Sequence, residues 1–449
     1  MKKTTTILAA ACAAVVVAGG VWSGAAAFHG MTPLTSAYAA DTTKAAAADT
    51  ASGDGDAKHG AYLARVGDCI ACHTAKGGTP FAGGLAFPTP MGKIYSTNIT
   101  PDKTHGIGGY SFDDFTKAMR EGVGKQGHLY PAMPYTAYAK VSDADLKDLY
   151  AYFMTQVPAS TQSNRASDIP WPLSMRWPLA VWDKFFLDTT RFNTVQGQSA
   201  EWNRGAYLVQ GLAHCSTCHT PRGWAMQEVD VSGKSDRFLS GSQLDSSSPI
   251  NLRGNPDTGL GNWSEADIVA LLQSGRSPHT AVSGPMVEVV QNSTQYLSAD
   301  DLKAIAVYVK SLSPAPQNGG TRFTASDATL QMFMSGQANE TGARIYMDSC
   351  AACHRLNGQG QTRVFPSLAN NPMVLHDNPD SLIAVILAGS RLPSTAAAPS
   401  DLAMPPFKWR YDDNEVAALA TFVRGAWGNH AEAVTASEVA KIRKHQAEQ

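Results

Sequence analysis

The chain of 449 residues has little charge. Only 16% of it is Asp, Glu, Lys or Arg, against ~25% in an ordinary soluble domain. The signs nearly cancel, 36 basic against 38 acidic, for a net charge of −2. No basic excess exists to neutralise phosphates, which excludes a nucleic-acid binder on composition. No segment after the N-terminal one has the roughly 20 apolar residues that a spanning helix needs. There is no P-loop, no Ser nucleophile elbow and no His-Glu hydrolase pattern, so machinery for acting on an organic substrate is missing. What is present is 43% hydrophobic residues, ample for folded cores, together with many Gly and Pro for loops.

Cysteine is also scarce, and its placement is informative. Of seven cysteines, Cys12 stands alone near the N-terminus. The other six form the pairs Cys69/Cys72, Cys215/Cys218 and Cys350/Cys353, followed at once by His73, His219 and His354. Cys-x-x-Cys-His is the attachment signature of c-type haem. The two thiols bond the porphyrin edge, and the next histidine supplies an axial nitrogen to the iron. Zinc would need pairs that close on one ion, and these pairs are far apart in the chain. A thioredoxin-like motif would need a βαβ setting. The sequence therefore predicts three covalent haems.

A longer repeat surrounds each motif. Gly60-Ala61-Tyr62-Leu63, Gly205-Ala206-Tyr207-Leu208 and Gly342-Ala343-Arg344-Ile345 open a helix ahead of the cysteines. Apolar stripes at helical spacing close each unit: Leu146, Leu149, Tyr150, Phe153; Leu302, Ile305, Ala306, Val309; Val416, Leu419, Ala420, Val423. Ser142 with Asp145, Ser298 with Asp301, and Asp412 with Glu415 read as helix starts. The expectation is an all-α chain of three tandem class I-like cytochrome c domains at 58–160, 200–314 and 336–430, with loop-rich connectors. Residues 40–57 and 315–335 are linkers, 161–199 an aromatic, proline-rich connector, and 431–449 a polar tail with a weak helical pattern.

An iron closed on both faces needs a distal ligand, and methionine suits electron transfer. Met133, Met286 and Met404 each lie beside a proline between motif and closing helix, which stiffens the loop that holds the sulfur. Met91, Met119, Met226 and Met373 are the competitors. His128, His279 and His376 are assigned to the surface or to supporting positions. The string Gly122-Val123-Gly124-Lys125-Gln126-Gly127 fits a dinucleotide fingerprint but follows a helix-like run rather than a strand, so that reading is rejected.

The N-terminus predicts export. Lys2 and Lys3 precede an apolar run from Ile7 to Val21, and Ala37-Tyr38-Ala39 fits a cleavage site, with Ala25-Ala26-Ala27 as a second. Residues 1–39 are thus taken as a signal peptide, and the mature chain as a periplasmic protein without a spanning helix.

Several strings carry a family resemblance: Gly-Asp-Cys-Ile-Ala-Cys-His-Thr at 67–74, Ile-Tyr-Ser-Thr-Asn-Ile-Thr-Pro-Asp at 94–102, Leu-Tyr-Pro-Ala-Met-Pro-Tyr at 129–135, Trp-Pro-Leu-Ser-Met-Arg-Trp-Pro-Leu at 171–179 and Cys-His-Thr-Pro-Arg-Gly at 218–223. The whole mature chain resembles the three-haem cytochrome c subunits of membrane-bound periplasmic dehydrogenases, such as gluconate 2-dehydrogenase and quinoprotein alcohol dehydrogenase, with sorbitol, fructose and glucose dehydrogenases as relatives. The resemblance implies an electron-transfer subunit at the inner membrane. Its partners would be a catalytic subunit carrying FAD or PQQ, a small third subunit and ubiquinone. It leans to the gluconate 2-dehydrogenase type. The rival readings are a multihaem peroxidase, which needs an iron without Met, and a free soluble shuttle. The connector at 169–187, with Trp171, Trp177, Trp182, Phe185 and Phe186, has two readings: packing between domains, or an exposed aromatic patch facing a partner or membrane.

Overall fold

The opening helices of the first two repeats are started by a side chain, Asp56 and Ser199 in turn, whereas that of the third follows Glu340 without a side-chain cap. The computed structural model describes residues 55–89, 91–244, 247–316 and 322–448; the expected signal peptide and nearly all of the expected first linker lie outside them. The described chain is mostly helical, with three two-stranded hairpins in place of a wholly α architecture. It divides into two compact units. The first holds residues up to Thr217 with Arg222–Val231 and Tyr296–Asp301. The second holds Cys218–Pro221, Ser232–Gln295 and Leu302–Gln449.

In the first unit the opening helix Ala57–Val66 is capped by Asp56, whose carboxylate accepts from the backbone N–H groups of Lys58 and His59. This satisfies donors that a helix start leaves orphaned. The helix packs on the closing helix Asp143–Thr155 through Leu63, Val66, Leu146, Leu149 and Phe153, all buried. Each such side chain contributes about 1.5–3 kcal/mol. The crossing is close because residue 60 is glycine: a Cβ there would lie 1.9 Å from the Asp148 carbonyl oxygen. Phe81, Phe115, Tyr150 and Phe153 complete the core through edge-on and tilted ring pairs, the Phe81–Phe153 centroids 5.4 Å apart.

The glycine string at 122–127 serves as a helix stop and a hairpin. Gly122 takes φ +62° as it ends the helix Phe112–Glu121, and Val123–Gly124 pairs with Gly127–His128. The strand Ala86–Thr89 pairs with Gly92–Tyr95. In the connector the proline-rich start stays irregular, and a helix forms only at Trp177–Phe186, with Pro178 in its first turn, where a missing N–H costs nothing.

The second unit contains most of the helix Ala299–Lys310, with Leu302, Ile305, Ala306 and Val309 buried. It also contains the third repeat. There the opening helix Thr341–Ser349 packs on the closing helix Asp413–Gly425, and a Cβ at Gly342 would lie 2.2 Å from the Ala418 carbonyl oxygen. Two boundaries set from sequence are too tight here. Phe333, from the helix Ala328–Met334 inside the supposed linker, is buried in this core. Residues 431–449 are no free polar tail, because Ala436–Glu448 is a helix that buries Val439 and Ile442 in the same cluster, with Val434 just before it. The return of the chain is fixed by Arg424, whose Nε donates to the Glu432 carbonyl at 2.7 Å, and by Arg443, whose Nε meets Asp413 at 2.7 Å.

Candidate haem centres

The three motif histidines are held by the same two bonds. The Nδ1 of His73 lies 2.7 Å from the Thr97 carbonyl oxygen, that of His219 2.8 Å from Ile250, and that of His354 2.9 Å from Pro366. A carbonyl only accepts, so each Nδ1 carries the proton and each Nε2 keeps its lone pair. At the other end, the histidine carbonyls accept from the N–H groups of Gly83, Gly241 and Gly360 at 2.8, 2.8 and 3.0 Å. These glycines have φ of +73°, +88° and +59°, a conformation that glycine adopts without strain. Burial lowers the pKa of all three imidazoles, against an opposing effect of the carbonyl bond. A neutral, oriented ring with a bare Nε2 is what an axial iron ligand requires.

The acceptors were not foreseen from sequence, though a weak signal exists. Thr97, Ile250 and Pro366 each precede a polar residue and then an aliphatic one: Asn98-Ile99, Asn251-Leu252 and Ser367-Leu368. Asn98 and Asn251 turn the chain alike, accepting from the N–H two residues on at 2.9 and 2.8 Å.

None of the six motif cysteines is in a disulfide. Burial, with Asp68 adding to it, pushes the Cys69 thiol up to about 12. Burial, with Cys353 adding to it, does the same at Cys350. Such thiols stay protonated and are poor redox or metal-binding groups, whereas a thioether needs no thiolate.

The methionines are placed unequally. Met133 is half-buried against Tyr135, Trp182 and Ala225. Its loop reaches the first motif through Tyr138, whose hydroxyl donates to the Gly67 carbonyl at 3.3 Å. Met404 sits in the short strand Ala403–Met404 and packs on the same apolar cluster as Cys350. Met286 opens the helix Met286–Asn292; three residues earlier, Ser283 reaches the sulfur of Met373 at 3.6 Å. Met119 is a buried core residue of its helix.

The cytochrome c family profile matches residues 339–427. The gluconate 2-dehydrogenase cytochrome c subunit of Pantoea cypripedii is 51% identical over 413 residues, spanning 90% of this chain and 93% of that one. The alcohol dehydrogenase (quinone) cytochrome c subunit of Gluconobacter oxydans is 47% identical over 391 residues, 86% and 82% of the two chains. The fructose dehydrogenase cytochrome subunit of Gluconobacter japonicus is 36% identical over 407 residues, again 86% and 82%. The chain belongs to this family of dehydrogenase cytochrome c subunits.

The residues present fit the haem c that membership in the cytochrome c family implies. The oriented Nε2 atoms and the unbridged cysteines are the donor set such a group needs. The cytochrome subunit also carries a polar cluster beside Met133 that the sequence did not single out. Asp183, 9% exposed, accepts from the Tyr135 hydroxyl at 2.7 Å and meets His128 Nδ1 at 2.8 Å. Burial raises the Asp183 carboxyl, opposed by the bonds from Tyr135 and His128. In the connector helix the aromatics divide by face. Trp177, Val181 and Phe185, spaced by four, are exposed. Trp182, expected on that patch, is buried and donates its indole N–H to the Ala225 carbonyl at 2.9 Å. The connector helix therefore buries one side and leaves the other exposed. Among the described residues no helix is long and apolar enough to cross a membrane.

Proposed function

We propose that the chain carries three covalent c-type haems in three tandem domains and passes electrons from a periplasmic dehydrogenase subunit to ubiquinone in the inner membrane. The observation that carries this reading is the repeated histidine clasp, with Nδ1 committed to a carbonyl three times over. When bound, each haem supplies a one-electron iron couple. The chain's own residues do the rest. Cys69 and Cys72, Cys215 and Cys218, and Cys350 and Cys353 hold the porphyrin edges. His73, His219 and His354 would supply Nε2 to the irons, each ring held through its Nδ1. Met133, Met286 and Met404 would supply the second ligand, which would close each iron to small ligands and disfavours the peroxidase reading. Residues 1–39 direct export, and FAD or PQQ resides on the catalytic partner. The gluconate 2-dehydrogenase type is the first choice of partner, since the likeness to that relative spans 90% of this chain and 93% of that one. The alcohol dehydrogenase (quinone) type is second.

The test is haem stoichiometry on protein matured through an export and haem-attachment pathway. A pyridine haemochrome assay should give three haems per chain, and two would reject one motif. Met286→Ala should keep all three haems, lower one potential and admit carbon monoxide. An unchanged spectrum and potential would move the second distal ligand elsewhere.

A further inference from the structure

We propose that the turn Lys408-Trp409-Arg410 of the third repeat is the surface on which the catalytic dehydrogenase subunit docks, through a face of that subunit that carries carboxylates. This rests on the reading that the chain takes electrons from such a subunit, and it adds where the contact lies and what chemistry holds it.

The turn lies between Met404 and the closing helix Asp413–Gly425, and the matching stretch differs in the three repeats. In the first, residues 134–141 are buried throughout, and their one cation, Lys140, is paired with Asp188 at 2.8 Å. In the second, residues 287–297 hold no Lys or Arg. In the third, Lys408, Trp409 and Arg410 are all exposed, Trp409 by 76%. Among the described residues neither cation is in an ion pair. The acids next in the chain are already taken, Asp412 by the Glu415 N–H and Asp413 by Arg443. An open indole between two uncompensated cations, in a chain of net charge −2, marks a contact surface, and tryptophan and arginine are the side chains that dominate such contacts.

The turn is held in place, and it is fastened to the segment that would carry the third haem. Phe407 and Tyr411 anchor its ends in the core, their rings stacked with centroids 6.0 Å apart. Arg443 donates to the Lys408 and Tyr411 carbonyls at 2.7 and 2.8 Å. The Tyr411 hydroxyl lies 2.6 Å from the hydroxyl of Ser349, the residue before Cys350. Burial and Cys353 raise the Cys350 thiol, and the Arg410 charge opposes them, so the guanidinium stands close enough to that sulfur to be felt there. Cys353 itself is exposed. A partner seated on the turn therefore lies beside the attachment cysteines of the third repeat.

The charges select the kind of partner. Ubiquinone is neutral, and two cations would add nothing to its binding. An anionic lipid surface would attract cations and tryptophan alike, but it has no electron to give, and it would leave unexplained why the turn is bonded to a haem-attachment segment. A protein donor uses both features. Opposite charge steers and orients it, and the fastening of the turn brings it close to the attachment cysteines. Lys408 and Arg410 would then meet carboxylates at the rim, around Trp409 as the central anchor.

The test uses the full-length holoprotein and a flavin-bearing catalytic subunit of the gluconate 2-dehydrogenase type, and measures the dissociation constant of the pair at low and at high salt. K408E combined with R410E should keep its haems, reduce decylubiquinone at the native rate once chemically reduced, and bind the subunit about a hundred-fold more weakly. W409S should bind about ten-fold more weakly. The milder K408Q with R410Q should fall between native and reversed charge, and high salt should weaken the native pair more than this variant. Unchanged affinity in K408E with R410E overturns the proposal. So does a charge-reversed variant that holds the subunit normally but no longer binds phosphatidylglycerol vesicles, or no longer reduces decylubiquinone, because the turn would then serve the lipid or the quinone. A native chain that does not bind the subunit overturns the reading of the partner, and this surface with it.

Discussion

The closing helices of the first two repeats start differently from that of the third, although all three carry the same capping pattern. At the third, Asp412 and Glu415 close on each other, side chain to backbone, at 2.9 Å both ways. At the first, Ser142 still accepts from the Asp145 N–H at 3.0 Å, but the return bond is missing. Its place is taken by Tyr207, which accepts from the Ser142 N–H at 3.1 Å and donates its hydroxyl to the Asp145 carboxylate. At the second, Tyr62 does the same, accepting from the Ser298 N–H at 3.2 Å and donating to Asp301 at 2.5 Å. Each phenol comes from the opening helix of the other repeat. Within the first unit the two repeats therefore exchange tyrosines. The third has Arg344 at the matching position, bonded to its own Asn339 carbonyl at 2.7 Å. A local signal was reused three times, and a distant hydroxyl decided how it was completed.

The largest effect in this comparison should follow loss of Asp301, 6% exposed. It takes both Tyr62 and a two-pronged bond from Arg204, Nε and Nη2 at 2.7 and 2.8 Å. Asp301→Ala leaves a guanidinium and a phenol without their acceptor. Breaking a buried pair costs ~3–5 kcal/mol, and the lower end applies because Arg204 is partly exposed. Glu415→Ala in the third repeat should cost about 1 kcal/mol, as an ordinary cap does. Denaturant unfolding of the holoprotein, read separately for the two units, would measure the difference. Equal costs would mean that the exchanged phenol adds nothing.

The same carboxylate predicts acid sensitivity. Burial alone would raise Asp301, but the bonds and charge of Arg204 and the Tyr62 hydroxyl overrule it and hold the group below its ordinary value of 3.8. A group depressed in the folded state stabilises it fully above the unfolded value and loses that contribution as pH falls through the folded one. The first unit should lose this stabilisation only below about pH 4, and Tyr62→Phe, which removes a bond to a charged group worth ~1.5–3 kcal/mol, should bring its acid unfolding to higher pH. Acid unfolding that Tyr62→Phe leaves unmoved would assign the shift to Arg204 alone.

What the sequence made legible was local. Motif spacing, the apolar stripes and the starts at Ser142, Ser298 and Asp412 are set by neighbours within a turn or two. What it hid was distant. Tyr62 stood in view as part of Gly-Ala-Tyr-Leu, but its acceptor lies 239 positions away. The carbonyl partners of the histidines have no side-chain identity to recognise. The last helix showed only as a weak pattern and its burial stayed hidden because Val439 and Ile442 are few, and they become core only when Asp413–Gly425 and Asp380–Ala388 supply the rest. Trp182 and Phe185 look alike in composition and differ only in the helix face they occupy.

The smallest effect is expected at Arg344, and it is the sharpest test of the asymmetry. Arg344 is exposed and its bonds run to Asn339 and Thr341 on its own side of the opening helix. No capping group of the third repeat depends on it, since Asp412 and Glu415 already satisfy each other. Arg344→Ala should therefore change stability by no more than ~0.5 kcal/mol, as exposed substitutions do. At the matching position Tyr207→Phe should cost at least twice as much, because it strips the Ser142 N–H of its acceptor and the Asp145 carboxylate of its donor together. If Arg344→Ala proved as costly as Tyr207→Phe, the opening helices would contribute equally in all three repeats, and the exchange of tyrosines would not be what distinguishes the first two.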